Sequence, residues 1–233
     1  MNAVITGGSK GMGLAIAEIF AANGFELAVT ARTQSDLDAM QRDFAGRFPG
    51  SSLLAFRADL SQKEGVLAFA DAVATRWPLV DVLVNNMGQF RPGKLLEDPD
   101  GFLENLMNAN FWSAYHLTRA LAPAMVNAGK GHIFNICSVA SQAAYPESGA
   151  YAVTKFALLG FSKSLRFELR ESGVKVTAVL PGATWTSSWE GTTFDPKRFV
   201  AASDVAKAVY QAWDTNPSTV VEEIILRPQL GDL

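Results

Sequence analysis

Along the chain, short runs of consecutive apolar residues alternate with longer stretches in which apolar positions recur at helical spacing. The short runs cover residues 3–6, 26–31, 52–57, 80–84, 132–137, 175–180 and 223–226. Most show no polar alternation, the pattern of parallel strands covered on both faces. Helical spacing occupies residues 13–22, 35–48, 65–76, 99–127, 152–172 and 203–213. The resulting βαβαβ order predicts an α/β fold: a doubly wound parallel sheet of about seven strands with helices on both faces.

Punctuation supports these boundaries. Asn23-Gly24 closes the first helix, glycine supplying the left-handed position after the cap. Ser203 stands where an N-cap belongs, and Pro181-Gly182 stops the sixth strand. Linkers, repeats and low-complexity tracts are not evident, so residues 1–233 are expected to form one domain.

Composition narrows the function classes. Hydrophobic residues make up 48% of the 233 positions and charged residues 18%, as in a packed globule. A net charge of −3 offers no basic footprint for nucleic acid. The single cysteine, Cys137, excludes an internal disulfide, and two distant histidines, His116 and His132, give a metal centre little to build on. The first apolar run begins almost at Met1 and leads into a glycine loop, which leaves no room for a signal peptide. No apolar stretch reaches the length of a membrane span. The expectation is a cytoplasmic protein without metal, membrane or nucleic-acid partner.

The loop Thr6-Gly7-Gly8-Ser9-Lys10-Gly11-Met12-Gly13 joins the first strand to the first helix. Glycines at 7, 11 and 13 let the backbone approach a pyrophosphate, and the helix N-terminus offers it unpaired N–H groups and a positive dipole end. A strand before and a helix after supply the context a dinucleotide site needs. At the end of the second strand an acidic residue would bind the ribose 2′-hydroxyl of NAD. This chain has Ala31 there, then Arg32, with Lys10 in the loop. Two cations without a carboxylate suit the 2′-phosphate of NADP(H).

Tyr151 and Lys155 fall at i and i+4, on one face of the predicted sixth helix. A phenol, with an ordinary pKa of about 10, needs a nearby cation to serve as acid and base at neutral pH. Ser138 lies just past the fifth strand, at the edge where open α/β sheets bind ligands, and its hydroxyl suits a substrate oxygen. Neighbouring Cys137 is expected to pack into the core.

With these residues in order, the chain resembles the short-chain dehydrogenase/reductase family over nearly its whole length. The resemblance rests on the Thr6–Gly13 loop, Asp59-Leu60, Asn85-Asn86-Met87-Gly88, Asn110, Ser138, Tyr151/Lys155 and Pro181-Gly182. It implies a catalytic set of Asn110, Ser138, Tyr151 and Lys155. Tyr151 would be general acid in reduction and base in oxidation, Lys155 would hold the nicotinamide ribose, Ser138 would orient the carbonyl, and Asn110 would hold a relay water. Cofactor contacts would come from Gly7, Ser9, Lys10, Gly11, Met12, Gly13, Arg32, Asp59, Leu60, Asn85 and Gly88, with Tyr151 and Lys155. Pro181, Gly182, Thr184 and Thr186 would line the carboxamide. Ser138, Gln89, Tyr145, Tyr151, Trp185 and Trp189 would surround the substrate.

Met87 departs from the family's small alanine and either packs or crowds the pocket wall. The aromatics after Pro181-Gly182 fall where the family carries a substrate lid, near residues 183–200. The apolar stripe of Phe102, Leu106, Phe111 and Leu117 is core or subunit interface, and the family likeness favours a homotetramer or homodimer. The implied activity is NADP(H)-dependent interconversion of a small carbonyl and its alcohol. A 3-oxoacyl-thioester substrate, a small aromatic or cyclic ketone such as a pterin side chain, and a catalytically silent NADP sensor remain open. Arg91 and Lys94 are the candidate contacts for an acidic carrier.

Overall fold

The computed structural model describes residues 1–186, 189 and 191–232. Nine strands are present among them: β1 (Asn2–Ile5), β2 (Glu26–Ala31), β3 (Leu53–Arg57), β4 (Val82–Asn85), β5 (Gly131–Ile136), β6 (Val174–Pro181), β7 (Thr184–Trp185), β8 (Val200–Ala201) and β9 (Glu223–Leu226). The helices are α1 (Gly11–Ala22), α2 (Gln34–Arg47), α3 (Lys63–Arg76), α4 (Phe102–Met107), α5 (Ser113–Ala128), α6 (Gly149–Leu169) and α7 (Ala202–Trp213). Seven strands form an all-parallel sheet in the order β3-β2-β1-β4-β5-β6-β9, and β7 pairs with β8 outside it. Strand order reverses between β1 and β4, which opens a crevice at their carboxyl ends.

The continuous apolar runs have a simple cause. Successive strand residues point to opposite faces, and both faces are covered. On one face Ile5, Val29, Val84, Phe134 and Val179 pack with Phe20 of α1, Leu37 of α2 and Val209 of α7. On the other, Val4, Ala28, Leu83, Ile133 and Val176 pack with Phe69 of α3 and Leu117 of α5. Fully burying each of the Val, Leu, Ile and Phe side chains among these stabilises the fold by about 1.5–3 kcal/mol.

The expected first helix ends as read, with Asn23 as the cap and Gly24 at φ 79°. β6 stops at Pro181. Three features differ. The helix expected over 99–127 runs from Phe102 to Ala128 but is not α-helical throughout: α4 and α5 are joined by a π-helical turn, Asn108–Trp112. Ser203 is not the N-cap of α7; Ala201 is, and it makes no side-chain cap bond. The pairing of β8 with β7 delivers the chain straight into the helix, so the start is set by tertiary contact. β7 and β8 themselves, two residues each, have no counterpart in the sequence reading. Among the described residues no helix is long and apolar enough to cross a membrane.

Candidate active site

The glycine loop is fastened to the end of β4. Thr6 Oγ1 accepts from the Asn86 and Met87 amides at 2.9 and 2.8 Å, and Asn86 Nδ2 donates to the Thr6 and Gly7 carbonyls at 2.9 and 3.1 Å. A Cβ on Gly13 would collide with the Gly7 carbonyl oxygen and Asn86 Nδ2, so the loop closes this tightly only with glycine there. The N-cap of α1, Lys10, makes no side-chain cap bond, and the first turn carries no acidic residue. Orphan N–H groups of a helix start are thus left to an incoming anion. An uncapped, acid-free helix start beside a closed glycine turn fits the pyrophosphate of a dinucleotide.

The adenosine side differs from the expected pair of unopposed cations. Lys10 Nζ is 2.8 Å from Asp36 Oδ2 in the first turn of α2, where the helix dipole favours a carboxylate. Arg32 is exposed, and Arg57 Nε donates to its carbonyl at 3.2 Å, adding a third cation at the same edge. Asp59 Oδ1 accepts from the Ser61 amide at 3.0 Å and from its hydroxyl at 2.8 Å, while Leu60 is buried. Ser9, beside Lys10, is half-buried.

Asn85 does not face the cleft. Its Nδ2 donates to Thr118 Oγ1 at 2.9 Å and Asn135 Oδ1 at 2.8 Å inside the core, and the adjacent Asn86 takes the cleft position. Strand alternation explains the swap: β4 ends at Asn85 with that side chain turned inward. Met87 packs on the cluster of Val4, Leu83 and Leu117 and so leaves the pocket wall clear.

A cleft of about 300 Å³ opens at the carboxyl ends of the strands. Met12, Gly88, Gln89, Ser138, Tyr145, Tyr151 and Lys155 line it from the sheet side, and Pro181, Gly182, Thr184, Thr186 and Trp189 from the chain beyond β6. Ser138 caps a short 3-10 turn, Val139–Ser141: its Oγ accepts from the Ala140 amide and its own amide donates to Ser141 Oγ, both at 3.1 Å. The Ser138 hydroxyl proton therefore remains to donate. On α6, Lys155 is buried, its Nζ donating to the Ile136 carbonyl at 2.8 Å and standing 5.7 Å from the Tyr151 ring centre. Phe90 meets the Tyr151 ring edge to face at 5.0 Å.

The π-helical turn places Asn110. An extra residue in the turn rotates its side chain inward, where it is fully buried. Asn110 Oδ1 accepts from the Gln89 amide at 2.7 Å, and Nδ2 donates to the Gln89 carbonyl at 3.0 Å and Thr154 Oγ1 at 2.9 Å. These partners come from two other segments, so its role is neither a helix cap nor a local backbone bond. Thr154 in turn donates to the Tyr151 carbonyl at 2.7 Å, tying Asn110 to the helix that carries Tyr151.

Of the two tryptophans expected at the substrate, one falls elsewhere. Trp185 is on β7, packed edge to face on Phe199 at 5.0 Å, and is not among the residues that line the cleft. Trp189 shares Phe199 from the other side at 4.9 Å and does line the cleft. Within the expected lid, Ser187, Ser188 and Glu190 lie outside the described residues. Cys137 packs among Leu158, Leu180 and Ala114, and burial pushes its thiol up to about 11, as a packing residue requires.

Asn86, Thr154, Phe90, Asp36, Arg57 and Asp232 were absent from the expected contacts. Asn86 was visible within its motif; the others carry no local signal.

The family model described as short chain dehydrogenase matches residues 1–196, and the chain belongs to that family of oxidoreductases. It is 36% identical to a sepiapterin reductase of Chlorobaculum tepidum, over 99% of this chain and 97% of that protein. Among solved structures, a metagenomic short-chain oxidoreductase in complex with NADP superposes with a TM-score of 0.85 at 31% identity, covering 98% of this chain and 97% of that one. L-sorbose reductase from Gluconobacter frateurii, complexed with NADPH and L-sorbose, superposes with a TM-score of 0.88 at 28% identity, covering 97% and 94%.

Proposed function

We propose that this chain is an NADPH-dependent reductase that converts a small ketone to a secondary alcohol. One observation carries the reading: Ser138, Tyr151 and Lys155 converge on a cleft beside an uncapped helix start shaped for a dinucleotide. The neighbours bound to NADP and NADPH, and the reductases among the relatives, support it.

A nicotinamide cofactor supplies the hydride when bound. The Gly7–Gly13 loop and the α1 start would hold its phosphates, Arg32, Lys10 and Arg57 would answer a 2′-phosphate, and Thr184 and Thr186 would take its carboxamide. Ser138 donates its free hydroxyl proton to the carbonyl oxygen and so stabilises charge developing there. Tyr151 passes its phenolic proton to the same oxygen. Buried Lys155 stabilises the negative charge left on Tyr151. Asn110 is the fixed post of the return route for the proton. Both its Nδ2 hydrogens are committed to protein acceptors, which leaves the second lone pair of Oδ1, beside the Gln89 amide, and a remaining proton of Lys155 to hold a water. Trp189, which lines the cleft and packs with Trp185 on Phe199, serves to exclude water from the reaction.

A small ketone is favoured over an acyl thioester on an acidic carrier because Lys94, one of two candidate basic contacts, is paired with Glu97 at 3.1 Å. Trp112 of the π-helical turn and Val153 and Phe156 of α6 are exposed, which favours a second copy of the chain there and thus a homo-oligomer, and the reading keeps the cytoplasm as its location. The test is NADPH oxidation across diketones, hydroxyketones, a pterin ketone and an acetoacetyl thioester. Turnover of the ketones and not the thioester is expected. Saturable NADPH binding with no turnover of any of them would make the protein a sensor and end the enzymatic reading.

A further inference from the structure

Away from the substrate cleft, a second cavity of about 320 Å³ opens between the start of α3 and the π-helical turn. Its walls divide by chemistry. Leu60 and Val66 are buried and apolar. The Trp112 and His116 rings lie nearly parallel, with centres 5.8 Å apart and 23° between their planes. Lys63 brings an exposed ammonium, and Ser61 and Asn108 bring a hydroxyl and an amide. Among the described lining residues there is no carboxylate. The charges that act on the His116 ring are again cations, Lys63 and Arg119. Burial first, then these two charges, hold the imidazole below its ordinary pKa of 6.5, so at pH 7 it is neutral and keeps one N–H to donate.

A cavity with apolar walls, flat rings and cations, and with no acid to answer them, matches a small anion carried on a planar ring. The anionic group meets Lys63 and the His116 N–H, and the ring covers Val66 and the Trp112 side. Hydrogen bonds to an ionised group are roughly twice as strong as neutral ones. Inorganic phosphate leaves the apolar wall uncovered, and a neutral ring leaves the ammonium unanswered.

The cavity also touches the adenosine side. Asp59 Oδ1 accepts from the amide and hydroxyl of Ser61, at 3.0 and 2.8 Å. An anion that takes the Ser61 hydroxyl proton for its own hydrogen bond frees Asp59 Oδ1 to accept from the adenine amino group.

We propose that this cavity is an effector site for a small aryl carboxylate or aryl phosphate, whose binding tightens the hold on NADP(H) through the Asp59–Ser61 turn. It is separate from the substrate cleft, and its test needs no turnover of any ketone.

The full chain is titrated in a calorimeter with phenyl phosphate, benzoate, inorganic phosphate and benzyl alcohol, with and without NADP. Phenyl phosphate or benzoate should bind once per chain, at least about tenfold tighter than inorganic phosphate or benzyl alcohol. Whichever of the two binds tighter identifies the anionic group. Lys63→Met and His116→Leu should each weaken that binding at least about fivefold, with kcat and the KM for NADPH within about twofold of wild type when the anion is absent. Saturating anion should tighten NADP about threefold, and NADP should tighten the anion by the same factor, since the coupling is reciprocal. Absence of saturable binding, as when a second copy of the chain covers the cavity, overturns the proposal. So does binding that both substitutions leave unchanged, displacement of the anion by NADP, which places it in the cofactor site, or equal NADP affinity with and without the anion. Thermal unfolding of each variant confirms that the fold is kept.

Discussion

On the glycine-loop side of the cleft, eight consecutive residues, Thr6 to Gly13, make the binding surface mostly from backbone. Asn86 clamps it, and a Cβ at Gly13 would not fit. On the opposite side, the surface is made from side chains drawn from separate segments: Ser138 after β5, Tyr151 and Lys155 from α6, Asp232 beyond β9, with buried Asn110 of the π-helical turn behind them. The difference has a physical root. A pyrophosphate presents the same anionic oxygens whatever the reaction, so backbone N–H groups answer it in one fixed way. A substrate demands directed donors and acceptors, which only side chains can supply. Variants on the chemical side should therefore act on kcat, and variants on the loop side on cofactor affinity and choice.

The largest break is expected from Tyr151→Phe, which removes the transferred proton and keeps the ring and its contact with Phe90. Loss of kcat should be about 10³-fold, with NADPH affinity within about twofold of wild type. Stopped-flow turnover and cofactor fluorescence titration give the two numbers. A variant retaining most of its kcat removes Tyr151 from the proton route.

Ser138→Ala comes next, with kcat lowered about 10²-fold. The Ser138 hydroxyl also accepts from the Ala140 amide, so part of the loss reflects a loosened turn. Steady-state kinetics separate the outcomes, because an effect confined to KM assigns Ser138 to binding alone.

His132, on β5, tests the frame that both sides share. Its Nε2 is 2.7 Å from Thr177 Oγ1, whose own proton goes to the Val221 carbonyl at 2.6 Å. Nε2 must therefore be the donor, and Nδ1 is left bare and buried without a partner among the described residues. Burial, then the Lys175 charge, lowers the His132 pKa from 6.5 to about 3. Between those values the unfolded chain binds a proton that the folded chain refuses. Stability is thus fully present above pH about 6.5 and falls toward pH about 3, by up to about 1.4 kcal/mol per pH unit. Urea unfolding of wild type and His132→Gln at pH 7 and pH 5 measures this term, and a wild-type-to-variant difference that stays constant with pH sinks it.

Cofactor choice is a smaller effect. Wild type should prefer NADPH over NADH by about tenfold or more in kcat/KM. Replacing Ala31 by Asp and Arg32 by Gln together should shift the preference toward NADH, through added repulsion as well as lost attraction. Higher salt should erode the wild-type preference, since Arg32 is exposed. Equal use of the two cofactors by the wild type rejects this assignment and leaves Tyr151 and Ser138 untouched.

Smallest is Asp36→Asn. Its ion pair with Lys10 is open to water and opposes a 2′-phosphate for the same ammonium. The KM for NADPH should drop about two- to threefold with the KM for NADH unchanged. A rise in the NADPH value would mean that Asp36 positions Lys10 instead of occupying it.

The parallel strands, their order of covering helices and the glycine loop were all legible in the chain, because apolar periodicity and turn residues are local signals. So was the Ser138, Tyr151 and Lys155 set, read through spacing and family resemblance. Asn85 and Asn86 were adjacent candidates that only the pleat of β4 could tell apart. The π-helical turn at Asn110 lies inside a stretch whose apolar spacing reads as one continuous helix, since one extra residue in a turn leaves that spacing almost unchanged.

By itself the sequence determined the layered α/β architecture, the glycine loop between β1 and α1, and the Ser, Tyr and Lys that meet at the cleft, all of which follow from short-range pattern. Tertiary structure alone decided that Asp36 meets Lys10, that Trp185 stays out of the cleft lining while Trp189 joins it, and that Asp232 borders the cleft with one oxygen unpartnered among the described residues. Tyr145 and Asp232 are 87 residues apart in the chain, and their contact exists only because β9 adds to the sheet beside β6. A pairing at that separation leaves no periodic trace, because it is set by where two strands end and not by what surrounds either residue in the sequence.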